Sequence, residues 1–542
     1  MLGNMQDWPL LVHTILDHAA RYHGDREIVS RSVEGPIQRT TYAQAAVRAR
    51  RLADALRRYG IKEGDVVASL AWNTCRHLEL WYGAMGLGAV VHTVNPRLFP
   101  ESIDLIVNHG GARVIFVDLT FVPLLEDLAP RLSHIETFVI LTGPETLPVT
   151  SLEGAIDFET FLASGEPDFE WPKLDENTAC GLCYTSGTTG RPKGVLYSHR
   201  SNVLHAMANS SADFFGLRAV DTLMPVVPMF HANSWSFIFV APMVGAKLVL
   251  PGQAMDGASI HQLLEDEAVT VTAAVPTVWM MLLQHLEKTG GEISTLARVF
   301  IGGAACPEMI LEAFEEKHGI DVHHAWGMTE MSPIGTIYAP KPHTGDLDAP
   351  ALRKLKLKQG RVPYLVDMRI VDEDGKVLPN DGKAFGHLQV RGPAVVRRYY
   401  NDPEGLAVDE DNWFSTGDVS TIDTEGFMEI TDRSKDVIKS GGEWISTIAL
   451  ENAAIGHPDI AEAAAISAPH PKWIERPLLL VVRREGCNPS PESVLDHVAE
   501  KLAKWWVPDD VVFVDEIPHT ATGKIDKLAL RKTFADHKLP TV

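Results

Sequence analysis

Cysteine is scarce in this sequence, and no apolar run is long. The five cysteines (Cys75, Cys180, Cys183, Cys306, Cys487) are scattered, which excludes a disulfide framework and leads us to expect reduced core thiols in a cytoplasmic chain. Cys180 and Cys183 form a C-x-x-C pair, yet no second pair or histidine pair completes a zinc site. No stretch approaches the roughly 18 apolar residues that span a bilayer, so no membrane span is expected. Basic charge is short as well: 49 Lys and Arg against 71 Asp and Glu leave a net charge of −22. That balance excludes an extended nucleic-acid surface, which needs a clustered basic field. Small anionic ligands stay possible, because they need only a local group of Lys, Arg and backbone N–H. Repeats and low-complexity tracts are missing too. The N-terminus lacks a basic-then-apolar leader, and Leu10, Leu11, Ile15, Leu16 and Ala19 recur there at helical spacing instead.

What is present suffices for more than one core, since 542 residues exceed a single compact domain. Apolar residues at 3.6 spacing predict a helix over 42–60 and a strand at 66–70. Helix and strand continue to alternate through 78–94, 103–117, 246–250, 260–267 and 269–275. This order predicts an α/β fold with layered, largely parallel sheets. Beyond about 364 the pattern turns to hairpins around Asp374-Gly375 and Asp381-Gly382, ending in a strand at 385–390. A small α+β tail with strands near 463–467 and 478–482 begins after the charged stretch 432–436. The expected division is a large N-terminal part, 1–433, with a β-subdomain over about 364–433, and a small C-terminal part, 434–542.

The most specific segment runs Tyr184-Thr185-Ser186-Gly187-Thr188-Thr189-Gly190-Arg191-Pro192-Lys193-Gly194. Its glycines let backbone N–H groups approach an anion, and Thr185, Ser186, Thr188 and Thr189 can donate hydroxyl hydrogens to phosphate. Lys193 adds a mobile positive charge. Residues 182–184 and 195–197 read as short strands, which makes the segment a hairpin tip rather than a tether. It is not a Walker A loop, because Gly194 follows Lys193 where a Ser or Thr would bind magnesium.

This loop resembles the signature of the adenylate-forming superfamily, which includes acyl-CoA synthetases, aryl-CoA ligases, luciferase and peptide-synthetase adenylation domains. Other motifs of that family recur in order along almost the whole chain. Pro228-Met229-Phe230-His231 resembles the segment lining the acid channel, with Trp235 expected one helical turn beyond His231 on the same face. Gly302-Gly303-Ala304-Ala305 resembles the turn that packs on adenine. His324-Ala325-Trp326-Gly327-Met328-Thr329-Glu330 resembles the motif in which an aromatic stacks on adenine, Thr contacts the α-phosphate and Glu holds Mg²⁺. Trp326 replaces the usual Tyr there, which keeps a stacking ring and loses a phenol hydroxyl. The resemblance implies that Asp418 of Ser415-Thr416-Gly417-Asp418 takes the ribose hydroxyls, with Arg433 as a second contact. By the same resemblance, Lys435 would fall at the hinge about which the C-terminal domain of the family swings. Ser440, Gly441, Gly442 and Glu443 resemble the loop that faces the thiol tunnel in the family. Lys524, in Pro518-His519-Thr520-Ala521-Thr522-Gly523-Lys524, corresponds to the lysine bridging carboxylate and α-phosphate.

Activation of a carboxylate by ATP and passage of the acyl group to coenzyme A is the activity implied. Lys524, His231, Glu330 and Thr185 are the expected catalytic residues, with Glu330 and Thr185 on Mg²⁺. Lys193 and the loop N–H groups would help cancel charge between two anions. A carrier-protein module is not expected, because no Asp-Ser dipeptide occurs and no further domain follows Val542. A non-catalytic nucleotide binder on the same fold is disfavoured by the presence of Lys524 and Glu330. His231, Trp235, Gly302, Trp326 and Met328 are expected to line a shallow acid pocket, and Met and Trp suit a thioether tail. Segments around Asn95, His231 and Trp326 resemble the branch containing ligases of 3-methylmercaptopropionate and of medium-chain fatty acids. The methylthio-acid is favoured over a general short- or medium-chain fatty acid. Arg476, with Lys472, Trp473, Lys501 and Lys504 nearby in sequence, is a candidate contact for coenzyme A. A homodimer is expected from the family alone.

Overall fold

The computed structural model describes residues 1, 3–185, 192–441, 443–520 and 525–541. They form two compact units, one of residues 1–367 with 391–414 and one of 368–390 with 415–542. The boundary expected after Arg433 falls inside the second unit, because the hairpins before it group with the tail after it.

Two large sheets build the first unit. In the seven-stranded sheet the order is Ile156–Asp157, Thr137–Ile140, Ala112–Val117, Val66–Leu70, Val90–Thr93, Ala179–Thr185, Lys193–Ser198. The pairs are parallel except the last, where Ala179–Thr185 and Lys193–Ser198 form an antiparallel hairpin. The eight-stranded sheet runs Ile334–Ile337, Asp321–Gly327, Arg298–Ile301, Val271–Ala274, Thr222–Pro225, Lys247–Leu250, Glu27–Arg31, Ile37–Thr41, with antiparallel strands only at its two edges. Strands buried on both faces read as continuous apolar runs, and Val66–Leu70 is buried at every position.

Helices Tyr42–Tyr59 and Cys75–Leu87 pack between these layers. A Thr41/Gln44 capping box opens the first, and Gly60 closes it in the left-handed region with φ of 105°. The second is buried all round, so its sequence shows little amphipathic contrast. Trp81 and Tyr82 on this helix are buried against Phe239, each contributing about 2–3 kcal/mol. The N-terminal helix His13–Tyr22 buries Ile15, Leu16 and Ala19 as the spacing predicts.

The second unit holds a four-stranded sheet (Asp367–Val371, Phe385–Arg391, Phe414–Ile422, Met428–Arg433) and a five-stranded one centred on Ile460–His470 and Ile474–Arg483. Helices Thr447–Ile455 and Pro491–Lys501 cover the latter.

Candidate active site

The hairpin places Thr185 opposite Lys193 in register, which sets both flanks of the phosphate segment at one sheet edge. Ser186, Gly187, Thr188, Thr189 and Gly190 lie outside the described residues. Tyr184 is locked beneath that edge. Its hydroxyl lies 2.6 Å from His109 Nδ1, and its ring sits 5.0 Å from the buried His92 ring.

Lys193 Nζ is 2.9 Å from Glu404 Oε2 and 3.5 Å from Asp402 Oδ2, and it lies 4.8 Å from the Tyr399 ring centroid. The Glu404 carboxylate, more than any other neighbour, raises the ammonium pKa above its ordinary value. Tyr399 Oη donates to Glu330 Oε1 at 2.9 Å, and burial drives the Tyr399 phenol pKa upward. Glu330 is itself buried, and its carbonyl accepts from Val396 N at 2.7 Å. Tyr197 Oη bonds the Thr329 carbonyl at 2.6 Å. The segment 394–404 therefore stitches the hairpin to the turn that carries Met328, Thr329 and Glu330. Among these partners, sequence reasoning missed Tyr399, Asp402 and Glu404. Their one signal is an aromatic pair, Tyr399-Tyr400, followed by the turn residues Asn401-Asp402-Pro403.

Trp326 ends the strand Asp321–Gly327 as a buried ring. It rests on Gly335, where a Cβ would lie 2.7 Å from the indole, so the facing strand needs glycine at that point. His324 is buried on the same strand. Its Nδ1 bonds the Leu357 carbonyl at 2.8 Å, and burial lowers its pKa. Gly302 is buried, whereas Gly303 and Ala304 are exposed. The Trp235 indole lies across this turn, 3.0 Å from where a Gly302 Cβ would stand.

Residues 232–236 correct one expectation. They do not continue as a right-handed helical turn beyond His231. Ala232, Asn233, Ser234, Trp235 and Ser236 all have positive φ, from 39° to 71°. A left-handed conformation costs an L-residue about 1–2 kcal/mol, so the helical-face argument for Trp235 fails and the turn must be held by its surroundings. Ser234 Oγ donates to the Val227 carbonyl at 3.0 Å, Asn233 Nδ2 bonds Asn202 Oδ1 at 3.2 Å, and the Trp235 side chain is buried. Asn73, also missed in the sequence, clamps the segment leading in. Its side chain donates to the Pro225 and Val227 carbonyls, both at 2.9 Å, and accepts from Met229 N at 2.6 Å. A polar residue just past the carboxyl end of the parallel strand Val66–Leu70 was the signal available.

In the second unit, Asp418 and Arg433 face each other on neighbouring strands. Arg433 Nε is 3.0 Å from the buried Asp418 carboxylate. Ser434 N bonds the Gly417 carbonyl, and Lys435 is exposed. Just before it, Asp432 accepts from both Thr447 N and Thr447 Oγ1, while Lys527 pairs with Glu451 at 2.7 Å and bonds Thr447 Oγ1. Ser440 is buried, and Gly441 N bonds the Trp473 carbonyl. Gly442 and Lys524 lie outside the described residues, and Glu443 begins a short strand.

Arg476, the candidate coenzyme A contact, is engaged within the protein. It is buried, with Nε 2.5 Å from Asp509 Oδ1, and its other nitrogens bond the Trp505 and Val507 carbonyls at 2.9 Å and Ser440 Oγ at 3.4 Å. In this arrangement the guanidinium braces the chain beside Ser440. Lys472 is exposed and stacks on Trp473, 4.3 Å from the ring centroid.

The cysteines Cys75, Cys180 and Cys306 are buried, and burial pushes each thiol up to about 12. No helix among the described residues is long and apolar enough to cross a membrane.

Comparisons with known proteins agree with this arrangement. The model of the AMP-binding enzyme family matches residues 16–400, and that of the AMP-binding enzyme C-terminal domain matches 449–524. The chain is 49% identical, over 99% of both lengths, to a 3-methylmercaptopropionyl-CoA ligase of Ruegeria lacuscaerulensis. It is 46% identical to a medium-chain-fatty-acid–CoA ligase of Ectopseudomonas oleovorans, covering 99% of this chain and 98% of the relative. An anthranilate CoA ligase solved with anthranoyl-AMP superposes with a TM-score of 0.86 at 26% identity, over 98% of this chain and 99% of that one. The chain belongs to the AMP-binding enzyme family and is an AMP-forming acid–thiol ligase of the acyl-CoA synthetase kind.

Proposed function

We propose that the chain converts 3-methylmercaptopropionate, ATP and coenzyme A into 3-methylmercaptopropionyl-CoA, AMP and pyrophosphate. The observation that carries the choice of acid is the Trp235 indole, buried across the Gly302 backbone. A bulky ring seated on a glycine turn shortens any cavity behind it. Likeness to a 3-methylmercaptopropionyl-CoA ligase at 49% identity supports the same choice, and likeness to a medium-chain ligase supplies the second reading.

In the first half-reaction a carboxylate oxygen attacks the α-phosphorus of ATP and expels pyrophosphate. Both reactants are anions, so the site must supply positive charge and aligned donors. Lys524 is our choice for the bridge between carboxylate and α-phosphate. Lys193, Thr185 and the residues 186–190 are assigned to the triphosphate, Trp326 and the turn 303–305 to adenine, and Asp418 with Arg433 to ribose. His231, Met328, Trp235 and Gly302 are assigned to the acid. The Glu330 carboxylate and the Thr185 hydroxyl are an oxygen-only donor set, which fits Mg²⁺ completed by water and phosphate. When bound, that ion would neutralise triphosphate charge. In the second half-reaction the coenzyme A thiol loses its proton and its sulfur attacks the acyl carbon, expelling AMP. Swinging of the C-terminal part about Lys435 would withdraw Lys524 and present Ser440, Gly441, Gly442 and Glu443 to the thiol. A cytoplasmic setting is supported by the few cysteines, four of the five buried and all unpaired, and a homodimer rests on the family resemblance alone.

Pyrophosphate release measured across straight-chain acids of increasing length and 3-methylmercaptopropionate tests the choice of acid. The expected result is the highest kcat/KM for 3-methylmercaptopropionate, with a steep fall beyond medium chains. A preference for long-chain or aromatic acids overturns it.

A further inference from the structure

The ammonium of Lys193 has two sets of possible partners, and the structure shows the protein's own. Glu404 Oε2 stands 2.9 Å from Nζ and Asp402 Oδ2 3.5 Å, with the Tyr399 ring beside it. These carboxylates are not brought there by chance of a free side chain. Tyr400 N donates to the Gly194 carbonyl at 2.8 Å, which ties the segment 399–404 to the very strand that begins with Lys193. Asp402 caps its own turn by accepting from Glu404 N at 2.9 Å. The same segment is fixed at its other end through Tyr399 and Val396 to Glu330. The lysine is thus held at a defined point of the site by acids that have no metal or substrate of their own to bind in the proposed reaction.

We propose that Asp402 and Glu404 are a parking site for Lys193, which competes with the nucleotide phosphates for its ammonium and so speeds phosphate release. The inference rests on the reading of Lys193 as a phosphate contact. Its strength is set by exposure. Glu404, the nearer partner, has a side chain 76% exposed, against 14% for Asp402, so water screens the Glu404 contact and a polyanion can draw the ammonium away. An exposed ion pair of this kind is worth up to about 1 kcal/mol, enough to shift binding severalfold without trapping the lysine. Parking also holds the Lys193 ammonium beside the phosphate edge between turnovers. Asp402 and Glu404 act through Lys193 and are positioning residues.

Calorimetric binding of ATP–Mg²⁺ and of pyrophosphate, each without acid or coenzyme A, separates the outcomes. It would use the full chain carrying Asp402→Asn with Glu404→Gln, Lys193→Gln, and all three together. The double variant is expected to bind both ligands about two- to fivefold more tightly than the parent. Lys193→Gln is expected to weaken both by about tenfold or more, and in that background the acid substitutions change nothing. Unchanged or weaker binding in the double variant overturns the parking site while leaving Lys193 in place as a phosphate contact. Tighter binding that persists in the triple variant also overturns it, because the effect would then be general charge. If Lys193→Gln leaves both affinities intact, the reading of Lys193 itself fails and parking fails with it.

Discussion

Asn73 shows how much of a site can depend on a residue that no motif marks. Its side chain makes three hydrogen bonds to the backbone at 225, 227 and 229, and it is fully buried. These three contacts set where the chain leaves the strand Thr222–Pro225 and hence where His231 begins. Asn73→Ala would take the acceptor from Met229 N and a donor from the Pro225 and Val227 carbonyls, of which the Val227 carbonyl keeps Ser234 Oγ, a loss of about 2 kcal/mol. We expect the denaturation midpoint to fall accordingly and KM for the acid to rise, with KM for ATP little changed. Equal loss on both substrates would place the defect elsewhere. Motif residues could be singled out in the sequence because the chemistry they suggest is local: a Gly-Thr-rich loop between strands suggests phosphate by itself. Asn73, Tyr399 and Glu404 were not, because each acts through partners tens to hundreds of residues away. Arg476 illustrates the converse, a residue that sequence singled out and whose partners lie within the protein. Its charge and aromatic neighbours suggested a phosphate contact, and the fold uses them to build the Ser440 loop.

At the scale of elements, period decided what could be read. The alternation over 42–117 and 246–275 gave helices and parallel strands in the right order, and the strands flanking 186–191 formed the expected hairpin. The turn 232–236 could not be read, since five consecutive left-handed residues without glycine follow no propensity and exist only through burial and cross-chain bonds. The N-terminal helix carries a further consequence of packing. Val12 N donates to His199 Nδ1 at 3.2 Å, and His13 packs on Trp171. Burial lowers the His13 pKa to about 4 and that of His199 to about 3. Both folded values lie below the ordinary 6.5, so their neutral forms stabilise the docked helix fully above pH 6.5. That support is lost as pH falls toward 4, at about 1.4 kcal/mol per pH unit for each group. Amide exchange in His13–Tyr22 should therefore accelerate between pH 6.5 and 4.5 beyond its intrinsic change. His199→Gln, which can accept from Val12 without titrating, should flatten the response. An identical response in both proteins would remove His199 as its cause.

At the scale of the whole molecule, the chemistry asks for two arrangements of one set of residues. Adenylation needs a lysine between carboxylate and α-phosphate, and thioester formation needs that place vacated for a thiol. The sequence supplies a hinge candidate, Lys435, and the second unit shows what lies around it. Asp432 is bonded to Thr447, and Asp436 pairs with Arg531 at 2.7 Å. Lys435 itself stays exposed between these anchors. Family membership rests on matches over nearly the whole chain. The assignment of Lys524 to the first half-reaction alone is the claim on which the proposed mechanism turns. Its most direct test compares Lys524→Ala with the parent in two separate assays, pyrophosphate release with ATP and acid, and thioester formation from synthetic acyl-adenylate and coenzyme A. The account predicts that adenylate formation falls by at least about a hundredfold, a loss of the size seen when a charge-stabilising donor is removed, while thioester formation stays near the parent rate. Equal loss in both assays would contradict it.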